Sequence, residues 1–188
     1  MKTSKILMWV SLIMGGNLFG QSVTINTQAS SIAWEGGNVV GKMHNGAIQL
    51  QSGVLNLKSG NITGGEFIID MMSMTNADLP AGVGNNLMGH LKSDDFFAVE
   101  THPTAKLVIK SATAFKNNQA KVSAVATIKG NSKPVSFDVT RKAGSYEGEF
   151  TIDRAEFDVR YGSGSFFDNL GDDAIQDEIK LIVKLETK

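Results

Sequence analysis

The sequence has 188 residues, of which 41% are hydrophobic and 20% are charged, and its formal net charge is −1. These values suit one folded domain, exclude a disordered tail or a polytopic membrane protein, and argue against nucleic-acid binding, which needs a basic excess. The chain has 20 glycines and no cysteine, which excludes disulfides, thiolate nucleophiles and cysteine-ligated metals.

The N-terminal residues have the pattern of a secretory signal peptide. Two lysines and an apolar stretch at 6–14 are followed by Gly20, a suitable residue before a cleavage point. The alternative is an uncleaved membrane anchor, but the apolar stretch is shorter than the roughly 20 residues that span a bilayer. A lipoprotein is excluded because there is no cysteine to carry the lipid. We therefore expect a signal peptide at 1–20, a single domain at 21–188 without an integral membrane segment, and a periplasmic or secreted location.

After this segment, hydrophobic residues recur with the period of two that is typical of half-buried strands. In the last segment, for example, Asp177, Ile179 and Leu181 fall on one face, and Glu178 and Lys180 fall on the other. Asn and Gly residues, which tolerate positive φ, separate the runs as expected for tight hairpin turns. The pattern predicts an all-β, antiparallel sandwich or barrel of about eight or nine strands. The predicted strands include 32–34, 47–51, 54–58, 62–71, 104–115, 121–129, 134–140 and 175–185, with a further strand after the turn at 143–145.

One segment, 77–99, lacks the alternation of a strand. Leu87 and Leu91 are spaced as on one face of a helix, which predicts a short helix at 85–93. A long departure from a β framework is often functional, so this segment and the loop at 163–171 are candidate gates for a site. A barrel of about eight strands is either filled by its own side chains or encloses one ligand.

Six motifs, in this order, resemble the YceI-like family. The most specific is a Leu–x–Ser–x–Asp–Phe–Phe run that begins at Leu91 and is followed by a proline. The resemblance covers roughly residues 32 to 185, and each motif is weak alone. The motifs lie at 32–36, 41–46, 64–75, 90–97, 127–130 and 154–159.

The resemblance implies an extended, lipocalin-like antiparallel β-barrel that binds a polyisoprenoid or related amphiphile in its lumen. The expected partner is an apolar or amphiphilic lipid of the polyprenyl or quinone type, sequestered or carried by an exported protein, with no cofactor and no catalysis. Two alternatives stay open: a structural or stress-protective barrel without a ligand, and an enzyme that acts on an apolar substrate. The first predicts a cavity well under ~300 Å³, the lower end for ligand pockets. The oligomeric state is open, and a dimer is one possibility.

Aromatic residues are the main candidates for contact with such a ligand. Phe67, Phe137 and Phe150 lie on predicted strands and are expected to point inward. The adjacent pairs at 96–97 and 166–167 lie in irregular segments, where they are expected to close the mouth. Ordinary core packing is the alternative for each. The full set of candidate ligand-binding residues is Trp34, His44, Phe67, His90, Leu91, Phe96, Phe97, Phe137, Phe150, Arg154, Phe157, Phe166 and Phe167.

Polar candidates are few. His44 and His90 suit hydrogen bonding to a head group or a structural cap, and the three histidines lack the spacing of a metal site. Arg154 has two interpretations: it neutralises an acidic head group, or it forms a salt bridge to Asp153, Glu156 or Asp158. The sequence contains no nucleophile elbow, phosphate loop or dinucleotide fingerprint, so no catalytic or metal-ligating residue is predicted.

Overall fold

A computed structural model of the protein describes residues 20–188, so the predicted signal peptide lies outside the described residues except for its last position. Within the described range the chain forms eight strands and one α-helix, with two short 3-10 helices at Arg154–Phe157 and Gly171–Asp173. In chain order the strands and the helix are β1 Gln21–Gly37, β2 Met43–Lys58, β3 Asn61–Asn76, α1 Ala81–Lys92, β4 Thr104–Ala112, β5 Gln119–Ile128, β6 Asn131–Lys142, β7 Ser145–Asp153 and β8 Glu178–Thr187.

The sheet closes into a barrel. Each strand pairs antiparallel with the next, and β8 returns to pair antiparallel with β1, where Trp34 lies opposite Leu181. The predicted antiparallel all-β barrel of about eight strands with one short helix is therefore confirmed. Closure matters physically because it leaves no edge strand whose backbone groups lack a partner.

The strands β1, β2 and β3 are longer than the alternation predicts, at 17, 16 and 16 residues. The prediction of separate strands at 47–51 and 54–58 is wrong, because β2 runs through Gly53 without a turn. A Cβ at Gly53 would lie 2.9 Å from Cδ1 of Phe67, so the glycine admits a close aromatic ring within a strand. Shifts in register between β2 and β3 also interrupt the period of two that the sequence analysis depends on.

The tight turns use the residues expected of them. Lys129 and Gly130, between β5 and β6, have φ values of 50° and 76°, and Asn117 and Asn118, before β5, have values of 51° and 61°. Positive φ at both central residues is the turn geometry that follows the right-handed twist of paired strands. Asn and Gly are the residues that reach this conformation at low cost.

The two ends of the barrel differ in the length of their connections. The short β2–β3, β4–β5 and β6–β7 connections share one end, which we call the hairpin end. The opposite end carries the β1–β2 turn, the β5–β6 turn and the two long connections at 77–103 and 154–177, and we call it the loop end. This division follows from the antiparallel order, since alternate connections must lie at the same end.

The helix α1 belongs to the 77–103 connection and lies against β3. It begins at Ala81, four residues before the predicted start, directly after Pro80. Proline suits a helix start because the first N–H groups of a helix have no partner within it. Gly84 and Met88 form the buried face of α1. The helix therefore positions the connection that covers the loop end.

Candidate functional site

The barrel contains a cavity of about 430 Å³. Its wall is built from the inward faces of all eight strands, because successive residues of a strand point to opposite sides of the sheet. The volume lies within the ~300–1,000 Å³ usual for ligand pockets. Apolar and aromatic wall residues that the sequence analysis did not name as ligand contacts include Ile32, Ile48, Leu50, Leu55, Ile62, Ile69, Met71, Met74, Leu107, Ile109, Val139, Tyr146, Ile179, Leu181, Val183 and Leu185.

Ten of the thirteen predicted ligand-binding residues line this cavity. Phe137 and Phe150 stack on each other, with 4.4 Å between ring centroids and 15° between planes. Trp34 Nε1 donates a hydrogen bond to the Thr75 carbonyl at 3.1 Å, which holds the indole against the wall. These contacts preorganise an aromatic surface. The ten residues are Trp34, His44, Phe67, His90, Leu91, Phe96, Phe97, Phe137, Phe150 and Arg154.

Phe96 and Phe97 bring the 77–103 connection into the cavity wall. They are only 3% and 8% exposed, and their rings meet edge to face with 5.0 Å between centroids. The Arg154 guanidinium lies over the Phe96 ring, 5.0 Å from its centroid. The two long connections of the loop end therefore meet at this aromatic pair.

The second predicted pair, Phe166 and Phe167, does not reach the cavity. These side chains are 40% and 50% exposed, and Phe166 lies 4.9 Å from the Arg160 guanidinium on the outer surface. Both backbone N–H groups bond to the Ser163 carbonyl, in a turn that leaves the two rings at the surface. The expectation that this pair closes the mouth is thus corrected: the rings belong to the exterior of the loop end.

Phe157 also lies outside the cavity. It ends the 3-10 helix Arg154–Phe157, is 1% exposed, and shares a core cluster with Ala126 and Ile152. Its carbonyl accepts a hydrogen bond from Asn131 Nδ2 at 3.0 Å. Phe157 is a core residue that supports the wall, so its predicted place among the ligand contacts is corrected.

Arg154 is the charged group at the centre of the loop end. Its side chain is fully buried, and Nη2 lies 3.1 Å from Asp177 Oδ1. Three backbone carbonyls accept the other hydrogen bonds of the guanidinium: those of Gln176, Val159 and Ile175, at 3.1, 2.8 and 3.1 Å. Arg154 thereby joins its own 3-10 helix to the chain that leads into β8.

The partner of Arg154 differs from the three carboxylates that the sequence suggested. Asp153 uses its side chain to accept the Ala155 N–H at 2.8 Å, and Asp158 pairs with Arg160. Burial lowers the pKa of Arg154, and the negative charges of Asp177 and Asp153 raise it in part compensation. The predicted salt bridge between Arg154 and a carboxylate within four positions is therefore wrong. Arg154 forms its ion pair with Asp177, 23 positions away in the chain.

Asp177 anchors the predicted gate loop. Its Oδ2 accepts hydrogen bonds from Ser163 Oγ at 2.8 Å and from Ser165 Oγ at 2.7 Å, and Ser163 is fully buried. The loop at 163–171 is thus tied to the chain just before β8. Sequence reasoning missed this role, although a signal was present: Asp177 is a charged residue on the apolar face of the last predicted strand.

His44 and His90 both line the cavity but have different surroundings. His44 Nδ1 lies 2.8 Å from Asp78 Oδ2, and Asp78 Oδ1 accepts the Asn45 N–H at 3.1 Å. His90 packs edge to face on Tyr161, with 4.4 Å between ring centroids. His44 therefore clamps β2 to the chain before α1, whereas His90 links α1 to the 154–177 connection.

The His44–Asp78 clamp predicts a dependence of stability on acid. Hydrogen bonds from His44 and from the Asn45 backbone lower the pKa of Asp78 from 3.8 to about 2. A carboxylate with a lowered folded-state pKa contributes stability above its unfolded pKa and loses it as the pH falls through the folded value. Between pH 4 and pH 2, the unfolding free energy measured in urea should therefore fall more steeply for the wild type than for Asp78→Asn.

The matched control is Asp138→Asn, which removes an exposed carboxylate from the outer face of β6. This variant should retain the wild-type slope over the same pH range. Equal slopes for the wild type and Asp78→Asn would contradict the assignment.

Residues 20–188 contain no group of three or more His, Asp or Glu side chains placed to hold a metal ion. Among the same residues, no helix has the length and apolar character that crossing a membrane requires. The arrangement offers instead a deep apolar wall and, near the loop end, a small set of polar groups. Such a site can bury a long apolar chain and orient one polar head.

A family model described as the YceI-like domain matches residues 23–187 of the chain. The comparison with curated proteins gave no match.

Solved structures of low sequence identity have a similar fold. BcnA of Burkholderia cenocepacia is 19% identical, with a TM-score of 0.67 over 86% of this chain and 98% of its own. A polyisoprenoid-binding domain from Saccharophagus degradans, implicated in plant cell wall breakdown, is 15% identical, with a TM-score of 0.61 over 88% and 98%. The YceI protein of Campylobacter jejuni is 16% identical, with a TM-score of 0.58 over 98% and 93%.

Proposed function

The chain belongs to the family of YceI-like domains, and we propose that its barrel binds a polyisoprenoid, or a similar lipid of the polyprenyl or quinone type, in the lumen. The observation that carries this proposal is the cavity of about 430 Å³ with its apolar strand walls. Burying an isoprene chain there is worth roughly 25 cal/mol per Å² removed from water. The similar domain from Saccharophagus degradans, described as polyisoprenoid binding, supports the ligand class.

The proposed role is sequestration and transport of the lipid by an exported protein. The signal-peptide pattern at 1–20 supports export to the periplasm or the exterior. The apolar tail occupies the lumen, and the head group lies near the loop end, where Asn38, His90 and Gln176 line the cavity. The 77–103 and 154–177 connections then regulate entry.

Two other functions make different predictions. A structural or stress-protective barrel requires a lumen filled by its own side chains, and a cavity of about 430 Å³ favours a ligand-binding barrel over it. An enzyme requires ionisable groups in contact with the substrate, and the ionisable residues of the lining include His44, His90 and Arg154. Each of these three groups already has a packing or ion-pair role, which favours binding without turnover.

Extraction of the purified protein tests the proposal. The full chain, expressed with its N-terminal residues in an export-competent bacterium, is extracted with organic solvent, and the extract and the protein are analysed by mass spectrometry. We expect about one isoprenoid lipid per protein molecule, and a protein mass that lacks residues 1–20. An extracted sample of the same protein should then rebind an added quinone.

Three results would change the conclusion. Recovery of no lipid, together with no binding of added quinones, would contradict the lipid-binding function. A protein mass that retains residues 1–20 would contradict export by signal cleavage. Chemical conversion of an added isoprenoid would favour the enzyme.

A further inference from the structure

Two of the positive charges around the cavity, those of Arg154 and Lys106, are matched by negative charges. Arg154 is fully buried, with Nη2 3.1 Å from Asp177 Oδ1 and its other bonds directed to three backbone carbonyls. Lys106 Nζ, which also contributes to the cavity wall, lies 2.8 Å from Glu66 Oε2. Neither cation is free to neutralise a ligand, because each would first have to give up its partner.

The other basic groups of the lining at the loop end include His44 and Lys42. His44 Nδ1 lies 2.8 Å from Asp78 Oδ2. Lys42 is exposed at the rim of the cavity and forms no ion pair among the described residues. Within residues 20–188, the lining therefore offers no cluster of uncompensated positive charge. A head group with several negative charges would lose water there and gain at most one exposed lysine as a partner.

On the basis of the proposed function, we propose that this cavity selects isoprenoids with an uncharged head group, such as an alcohol or a quinone, over isoprenoids that end in a diphosphate. A diphosphate is strongly hydrated, and its desolvation is repaid only by close, free cations. An alcohol or quinone needs only one or two hydrogen bonds. The polar groups of His90, Asn38 and Gln176 at the same end of the cavity suit that smaller requirement.

A pair of ligands with the same tail tests this selectivity. Binding of farnesol and of farnesyl diphosphate to the delipidated full chain is measured by titration calorimetry at one pH and one salt concentration. We expect the alcohol to bind at least about tenfold more tightly, the factor that corresponds to ~1.4 kcal/mol. Equal or tighter binding of the diphosphate would overturn the selectivity and leave the proposed function standing. Binding of neither ligand would overturn both.

The variant Asp177→Asn tests the cause. The amide keeps the shape of the carboxylate and leaves the Arg154 charge unmatched, so we expect the preference for the alcohol to fall by about fivefold or more. Asp138→Asn makes the same change of charge on the outer face of β6 and should leave the ratio unchanged. If a folded Asp177→Asn protein keeps the wild-type ratio of affinities for farnesol and farnesyl diphosphate, the Arg154–Asp177 pair does not cause the selectivity. Should that variant not fold, the wild-type ratio alone decides the selectivity.

Discussion

Replacement of Arg154 by alanine should lower the unfolding free energy by about 3–5 kcal/mol, as is usual when one partner of a buried ion pair is removed. The Arg154 side chain is fully buried, so its loss leaves Asp177 without its close cation. The carbonyls of Gln176, Val159 and Ile175 also lose their donor. For a domain of 150–250 residues, each kcal/mol lowers the melting temperature by roughly 2–4 °C, so a fall of roughly 6–20 °C is expected.

Thermal and urea unfolding, followed by circular dichroism, measure this effect. Arg160→Ala is the matched control, because Arg160 is 59% exposed and pairs with Asp158 at the surface. Its loss should cost about 1 kcal/mol or less, as for other exposed ion pairs. Arg154→Lys should fall between the two, since an ammonium keeps the charge but not the planar set of donors. A loss under about 1 kcal/mol for Arg154→Ala would show that the pair does not hold the loop end together.

The second large effect concerns the lumen. Ala126→Phe places a ring in the cavity wall of β5 and should weaken isoprenoid binding more than tenfold without unfolding the barrel. Each buried methylene of a ligand is worth roughly 0.8 kcal/mol, so displacing about three of them costs ~2.4 kcal/mol. That energy corresponds to a loss in affinity of about fiftyfold. Titration with a quinone or farnesol measures the change.

Val125→Phe is the control for added bulk on the same strand. Val125 precedes Ala126 and faces the other side of the sheet, because successive strand residues alternate. Because Val125 does not face the lumen, the affinity of the control for the lipid should be within about twofold of the wild-type affinity. Wild-type affinity in a folded Ala126→Phe protein would place the lipid outside the barrel.

Part of the candidate site could be predicted, because the alternation of residues along a strand indicates which side chains face the interior. The strand pattern predicts that Phe67, Phe137 and Phe150 point inward, and all three line the cavity. For Phe166 and Phe167 the prediction of a place at the mouth rests on their irregular segment alone, and the structure leaves both rings exposed. Where hydrophobic residues alternate along a strand, the alternation gives the direction of each side chain. Where there is no alternation, the direction depends on tertiary contacts that the sequence does not display.

The same dependence on contacts between distant residues explains why the sequence pattern divides β2 into two predicted strands. The register shifts between β2 and β3 and the glycine at position 53, inside β2, interrupt the alternation, so one strand has the pattern of two. A glycine inside a strand and a glycine in a turn are the same letter in the sequence. Only the neighbouring strand, with its ring 2.9 Å from where a Cβ would lie, distinguishes them.

The sequence by itself determined the all-β class, the tight turns and the resemblance to the YceI-like family, because alternation, turn chemistry and short motifs are properties of neighbouring residues. The tertiary structure alone decided the closure of β8 on β1, the volume of about 430 Å³ and the pairing of Arg154 with Asp177. These features join residues far apart in the chain. Their energies depend on burial and distance, which exist only once the barrel has closed.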